Sequence, residues 1–168
     1  DYAFYNCDQL MAILEGNSIE SIGSNSFFGC DRLYQVVLPK IITVGENAFA
    51  SNTSLISISF GEDIVSLGSG QFDKSLNLRE IIIEAPVAEN ADVGTLFDNI
   101  SDDILSNLRV YVPAESYTEY VNKFTTEFAY TLCENGDKYG EHNVDVYYNN
   151  SKIGVIDIGQ FRFRELAD

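Results

Sequence analysis

The side chains that most often perform catalysis are scarce in this chain. It has a single histidine, His142, in a Gly-Glu-His-Asn turn. A serine or cysteine nucleophile needs a neighbouring base, and a zinc site needs several His, Cys or carboxylate ligands. No second histidine or closely spaced cysteine pair accompanies His142 in the sequence. We therefore expect neither nucleophilic catalysis nor a zinc site.

Four acidic residues cluster in one stretch, Asp92, Asp98, Asp102 and Asp103. Paired carboxylates perform glycoside hydrolysis, but no aromatic-rich segment surrounds these. The stretch also lacks the D-x-D-x-D-G pattern of a calcium loop. Ser101 followed by two acids is typical of a helix start, where carboxylates are favourable. The sequence predicts no enzyme, no metal and no cofactor.

The elements that must position any functional side chain are repeats. A phenylalanine column advances by 23, 22 and 23 residues, at Phe4, Phe27, Phe49 and Phe72. Three further columns follow it at three-residue intervals with the same steps: Cys7, Cys30, Asn52 and Ser75; Leu10, Leu33, Leu55 and Leu78; Ile13, Val36, Ile58 and Ile81. Repeats of this length cannot bury an apolar face alone, so neighbouring units must stack into a solenoid.

The segment that begins at each leucine has strand chemistry, because apolar and β-branched residues alternate there. Stacked coils align such strands into a parallel sheet, with about 4.8 Å between neighbours. Gly23, Gly45 and Gly68 precede the phenylalanines, and they suit a tight corner that needs either positive φ or close backbone approach. We predict a right-handed leucine-rich-repeat coil with a parallel β-sheet on one face.

The string I-G-x-x-A/S-F-x-x-C-x-x-L-x-x-V-x-L-P resembles the BspA-like leucine-rich repeats of bacterial and some protozoan surface proteins. The resemblance covers residues 1 to about 125. Asn52 and Ser75 depart from it at the cysteine column, and Gln71 replaces the alanine. The resemblance implies a secreted or cell-surface protein that adheres to host or neighbouring-cell proteins.

Two regions are predicted. Residues 1–125 form about four coils, an irregular closing coil and a short capping helix over 114–124. Residues 126–168 form a small β-rich C-terminal extension, with strands at 128–132, 144–148, 153–158 and 161–164 between turn signals. Because the sequence opens in mid-repeat, we expect a fragment of a longer protein.

Net charge and hydropathy exclude two classes of partner. The 168 residues carry 26 acidic and 10 basic side chains, a formal charge of −16. Such a charge excludes nucleic acid and anionic membrane surfaces as partners. No apolar run reaches the 18 or so residues of a membrane span.

Cys7 and Cys30 occupy one column in adjacent coils. They can form a disulfide or remain buried free thiols, and the sequence leaves both open. Three N-x-S/T triplets begin at Asn52, Asn99 and Asn149, the first of them at an inward position.

The candidate functional site is a binding face on the outward side of the strands. Its residues form two rows across the coils: Gln35, Ser57, Glu80 and Arg109, and Val37, Ser59, Ile82 and Tyr111. The second row, preceded by Leu14, is unusually apolar for an exposed strip, which favours an interaction site unless another segment covers it. We expect a protein ligand. The alternatives are glycan binding through exposed aromatics such as Tyr111, Tyr147 and Tyr148, or a spacer that carries another domain.

Overall fold

The computed structural model describes residues 1–86, 96, 99–105, 107–116, 119–120, 130–134, 143–148, 151–157 and 162–165. Within the repeats, each coil contributes one strand to each of two parallel sheets. The longer strands are β1 (Ala12–Ile13), β3 (Gln35–Leu38), β5 (Ser57–Phe60), β7 (Glu80–Ile83) and β8 (Arg109–Val112). The short strands of the second sheet are β2 (Ser21–Ile22), β4 (Thr43–Val44) and β6 (Ser66–Leu67).

Successive coils lie in register. Gln35 pairs with Ser57, Ser57 with Glu80, and Glu80 with Arg109. These pairs are the ones that the step of 22 or 23 residues predicts. The predicted leucine-rich-repeat solenoid with its parallel sheet is therefore confirmed.

The core consists of the predicted inward columns. Leu33, Leu55 and Leu78 have no exposed surface, and the branched residues three positions later are equally buried. The Phe27 ring stacks on Phe49 with 5.4 Å between centroids. Identical side chains in identical positions fill the interior coil after coil, so each unit is stabilised by apolar burial against its neighbours.

The corner glycines are required for close approach and not for positive φ. A Cβ at Gly45 would lie 2.5 Å from the backbone nitrogen of Ser24, and one at Gly68 would lie 2.7 Å from that of Glu46. Positive φ falls instead on two other columns: Tyr2, Asn25, Asn47 and Gly70, and Asn6, Gly29, Ser51 and Lys74. Asparagine recurs there because it tolerates the left-handed region better than most residues.

Hydrogen bonds at this corner all run in one direction along the solenoid. The donors and acceptors of one coil boundary are Asn25 N–H to Glu46 O at 2.9 Å, Phe27 N–H to Ala48 O at 2.9 Å, and Gly29 N–H to Ala50 O at 3.0 Å. The preceding boundary repeats this arrangement, from Tyr2 to Ser24 and from Phe4 to Ser26. Each corner thus donates to the coil that follows it.

Four further strands extend the same sheet beyond the repeats: β9 (Tyr130–Glu134), β10 (Asn143–Tyr148), β11 (Ser151–Asp157) and β12 (Arg162–Glu165). Strand β9 pairs in parallel with β8, so that Tyr111 lies opposite Cys133. The remaining pairs, β9–β10, β10–β11 and β11–β12, are antiparallel. The nine-stranded sheet therefore changes from stacked coils to a meander.

The helical segments are short. Helix α1 (Asp102–Leu105) begins at the predicted acidic start. A 3₁₀ turn covers Ala114–Ser116, and Glu119 and Tyr120 are helical. The rest of the predicted capping helix, and the boundary at residues 125 and 126, lie outside the described residues. Tyr120 is buried, and its hydroxyl donates to Ala85 O at 3.0 Å.

Candidate interaction surface

The first predicted row runs across the sheet as a polar strip. Gln35, Ser57 and Glu80 are half-buried, and Arg109 is exposed. The Ser57 hydroxyl donates to Oε2 of Glu80 at 3.2 Å, which joins two neighbouring coils. This row offers hydrogen-bonding groups of both kinds to a partner.

The second row is accessible over part of its length. Val37 and Ser59 are half-buried, and Leu14 is 54% exposed. Ile82 and Tyr111 retain only 9% and 3% of their surface, contrary to the expected exposed strip. Their register is the predicted one. Alternation determines to which side of a sheet a side chain points, but not what packs over it, so the accessible part of this row lies in the earlier coils.

A neighbouring column, which the sequence reasoning missed, is more exposed. Met11, Tyr34 and Ile56 are 57%, 38% and 50% exposed, and Arg79 is exposed in the next coil. Backbone bonds align them: Tyr34 N–H donates to Met11 O at 2.8 Å, Ile56 to Tyr34 at 2.9 Å, and Arg79 to Ile56 at 2.9 Å. We call these four residues the edge strip. The repeat step contains the signal, since they advance by 23, 22 and 23 residues, one position after each core leucine.

A shallow groove of about 430 Å³ lies along the edge strip, lined by Tyr34, Ser54, Ile56, Asn77 and Arg79. Nη1 of Arg79 donates to Leu76 O at 3.2 Å and to Leu78 O at 2.8 Å, which holds the guanidinium at the groove. Asn77 donates from Nδ2 to Thr53 O at 2.7 Å. The groove thus has an apolar floor and one cationic end.

The basic residues of the repeats differ in their partners. Lys40 forms ion pairs with Glu62 and Asp63 at 3.6 and 3.3 Å, and the hydrogen bond to Asp63, with the charges of both acids, raises the pKa of Lys40. Lys74 lies 3.8 Å from Asp73. Among the described residues, no carboxylate lies within 4 Å of the guanidinium groups of Arg32 or Arg79. Arg79 is therefore a cation that remains available to a partner.

A second cavity, of about 400 Å³, lies at the first coil between Asp1, Phe4, Ile22 and Phe27. Phe4 stacks on Phe27 with 5.0 Å between ring centroids, and its other face is open, so that 47% of its surface is exposed. This end presents the same apolar cross-section that every other coil buries.

The cysteine column is a buried polar ladder. Cys7 and Cys30 are both free, so the disulfide alternative does not occur. Burial raises the pKa of the Cys30 thiol, which donates to Phe4 O at 3.1 Å. Asn52 has no exposed surface, and its Nδ2 donates to Phe49 O at 2.9 Å. The amide is therefore not available for glycosylation in the folded chain, whereas the side chain of Asn99 is exposed.

The residues first considered for chemistry do not form a site within the described structure. His142, Asp92 and Asp98 lie outside the described residues, while Asp103 is exposed. In the part of the chain that was searched, no group of three or more His, Cys, Asp or Glu side chains is arranged to hold a metal ion. Among the same residues, no helix is long and apolar enough to cross a membrane.

The stacked coils, their columns and their parallel sheet match one known family. The family model for the BspA type leucine-rich repeat region, in six copies, matches residues 1–95. The chain belongs to the BspA-type leucine-rich-repeat family. The match stops short of residue 125, where the sequence resemblance was expected to end. Comparisons with curated proteins and with solved structures found no match.

BspA-type repeats are generally protein-interaction and adhesion modules, and the family is typically non-enzymatic. In such solenoids the ligand commonly binds an extended surface that crosses several coils. Both the strand rows and the edge strip are surfaces of this kind.

Proposed function

We propose that this chain is a non-enzymatic adhesion module of a secreted or cell-surface protein, and that it binds a protein ligand through the outward face of its strands. The observation that carries the proposal is the register of that face. Gln35, Ser57, Glu80 and Arg109 lie opposite one another in successive strands and form one continuous polar row.

Protein binding is favoured over glycan binding. Tyr111 was the first aromatic proposed to stack on a sugar, and it is 3% exposed. The side chains of Tyr147 and Tyr148 lie outside the described residues. The accessible face combines half-buried Val37 with polar neighbours, a mixture typical of protein interfaces.

A pull-down of extracellular-matrix and cell-surface proteins tests the proposal. The chain is compared with a double variant, Val37→Glu with Ser59→Glu, which places two charges on the proposed face. A matched control, Val65→Glu, places a charge on a 42% exposed valine beside strand β6. Circular dichroism establishes that all three chains are folded.

The expected result is a partner retained by the chain and by the control, and lost by the double variant. Equal retention by all three folded chains would contradict binding through the strand face. The absence of any partner would favour the spacer alternative.

A further inference from the structure

We propose that the edge strip (Met11, Tyr34, Ile56 and Arg79) binds an amphipathic helix of a protein partner, laid across the coils, with an acidic side chain over Arg79. The proposal rests on the proposed function, since it assumes a protein ligand. It specifies a surface distinct from the two strand rows and the kind of element that fits it.

Exposure supports a docking role for this strip. Single exposed apolar residues are ordinary on a protein surface, but contiguous ones mark interaction sites. Met11, Tyr34 and Ile56 are 57%, 38% and 50% exposed and lie in three successive coils. Direct backbone hydrogen bonds connect these coils at the strip, so the three side chains form one continuous row.

The spacing of the row matches a helix. Neighbouring coils lie about 4.8 Å apart, so side chains of the strip recur at that interval. A helix presents residues of one face at i, i+3, i+4 and i+7, with about 5.4 Å per turn. An extended segment would present every second residue at about 6.7 Å and would lose step with the coils sooner.

The charge at one end of the strip defines the partner further. Arg79 is exposed, two carbonyls hold its Nη1, and no described carboxylate lies within 4 Å of it. The neighbouring Glu80 accepts a hydrogen bond from Ser57 in the adjacent row. In a chain with 26 acidic and 10 basic residues, a carboxylate from the partner is the natural counterion for this guanidinium.

The length of the partner helix follows from the number of coils. From Met11 to Arg79 the strip crosses three coil steps, or about 14 Å, which corresponds to about 10 residues of helix. The partner is therefore expected to carry apolar residues at about i, i+4 and i+7 and an acid near i+11.

Fluorescence anisotropy with a labelled synthetic peptide tests this inference. The peptide carries leucines at i, i+4 and i+7 and glutamate at i+11, on a helix-favouring background of alanine and glutamine. It is titrated with the chain, with Ile56→Glu and Arg79→Glu, and with the control Val65→Glu. A second peptide replaces the glutamate with lysine.

We expect saturable binding by the chain and by Val65→Glu, with Kd raised at least about tenfold in Ile56→Glu and in Arg79→Glu. The lysine peptide should restore affinity to Arg79→Glu, which a merely unfolded variant would not show. No saturable binding, equal affinity of all four chains, or failure of the charge exchange would each overturn the inference.

Two outcomes separate this inference from the proposed function. A partner lost only by Val37→Glu with Ser59→Glu would retain the adhesion proposal and overturn the edge strip as its site. A glycan-array ligand lost in Tyr34→Ala, without peptide binding, would assign the groove to carbohydrate and overturn the helical partner.

Discussion

The backbone N–H of Cys30 donates a 2.7 Å hydrogen bond to Oδ1 of Asn52, the residue that occupies the same column one coil later. Both residues are fully buried. The same amide donates from Nδ2 to Phe49 O, and the backbone N–H of Asn52 donates to Oγ of Ser75 at 3.2 Å in the next coil. Asn52 therefore connects three successive coils through groups that have no access to water.

Asn52→Ala is expected to lower the free energy of unfolding by about 2 kcal/mol, because it leaves buried donors and acceptors without partners. The control Asn77→Ala removes one hydrogen bond at an exposed position and should change stability by less than about 0.5 kcal/mol. Urea unfolding followed by circular dichroism measures both. Equal stability of the two variants would show that the buried ladder is not structurally required.

Phe49→Ala is expected to cost about 4 kcal/mol, since Phe49 is fully buried and its removal leaves a cavity between Phe27 and the next coil. Phe4→Ala deletes the same side chain where 47% of it is exposed, and should cost less than half as much. Chemical unfolding of both variants checks the ratio. A larger loss at Phe4 would contradict the open apolar end.

Gly45→Ala is expected to destabilise the chain by about 2 kcal/mol, because the new Cβ would approach the backbone of the preceding coil. Asn47→Gly, at a φ of 53°, should stay within about 1 kcal/mol of the parent, since glycine adopts this conformation freely. Thermal unfolding of the pair distinguishes close approach from positive φ. The opposite order of stability would reverse the assignment of the two columns.

Stability is expected to fall above about pH 10, the range in which an unfolded tyrosine ionises. Burial raises the pKa of Tyr120, so the folded chain keeps this proton after the unfolded chain has lost it. The stabilisation is complete below the unfolded pKa and is lost as pH rises toward the folded one. Urea unfolding between about pH 9 and 11 should show a shallower decline for Tyr120→Phe than for the parent.

Thiol labelling should distinguish the two cysteines of the repeats. Cys30 is fully buried with a raised pKa, whereas Cys7 is half-buried. In a Cys133→Ser background, a disulfide reagent near pH 8 should modify Cys7 faster than Cys30. Both should react at one rate in denaturant, and rapid native labelling of Cys30 would contradict its burial.

The alignment of the coils could be predicted from the sequence because a repeat step places Ser57 opposite Glu80 without knowledge of any other contact. The burial of Ile82 and Tyr111 could not, because alternation describes a strand and not the segments packed above it. The same limit explains why the edge strip was missed. Tyr34 and Gln35 are adjacent, and neither is fully buried, which breaks the alternation from which the outward rows were derived.

The four C-terminal segments were expected as strands, and the structure has strands at 130–134, 143–148, 151–157 and 162–165. Their pairing was not predictable, since a strand pattern does not name its neighbour. The parallel addition of β9 to β8 results from the edge that β8 presents.

The one-way hydrogen bonds at the corner make this side of the solenoid electrically polar. In ordinary sheets the peptide dipoles alternate and nearly cancel. Here successive corners donate from N–H to the following coil and accept at C=O from the preceding one, so their dipoles add along the solenoid axis, as they do in a helix. The corner column therefore has its negative end at the first coil, where a cation is favoured, and its positive end toward the last.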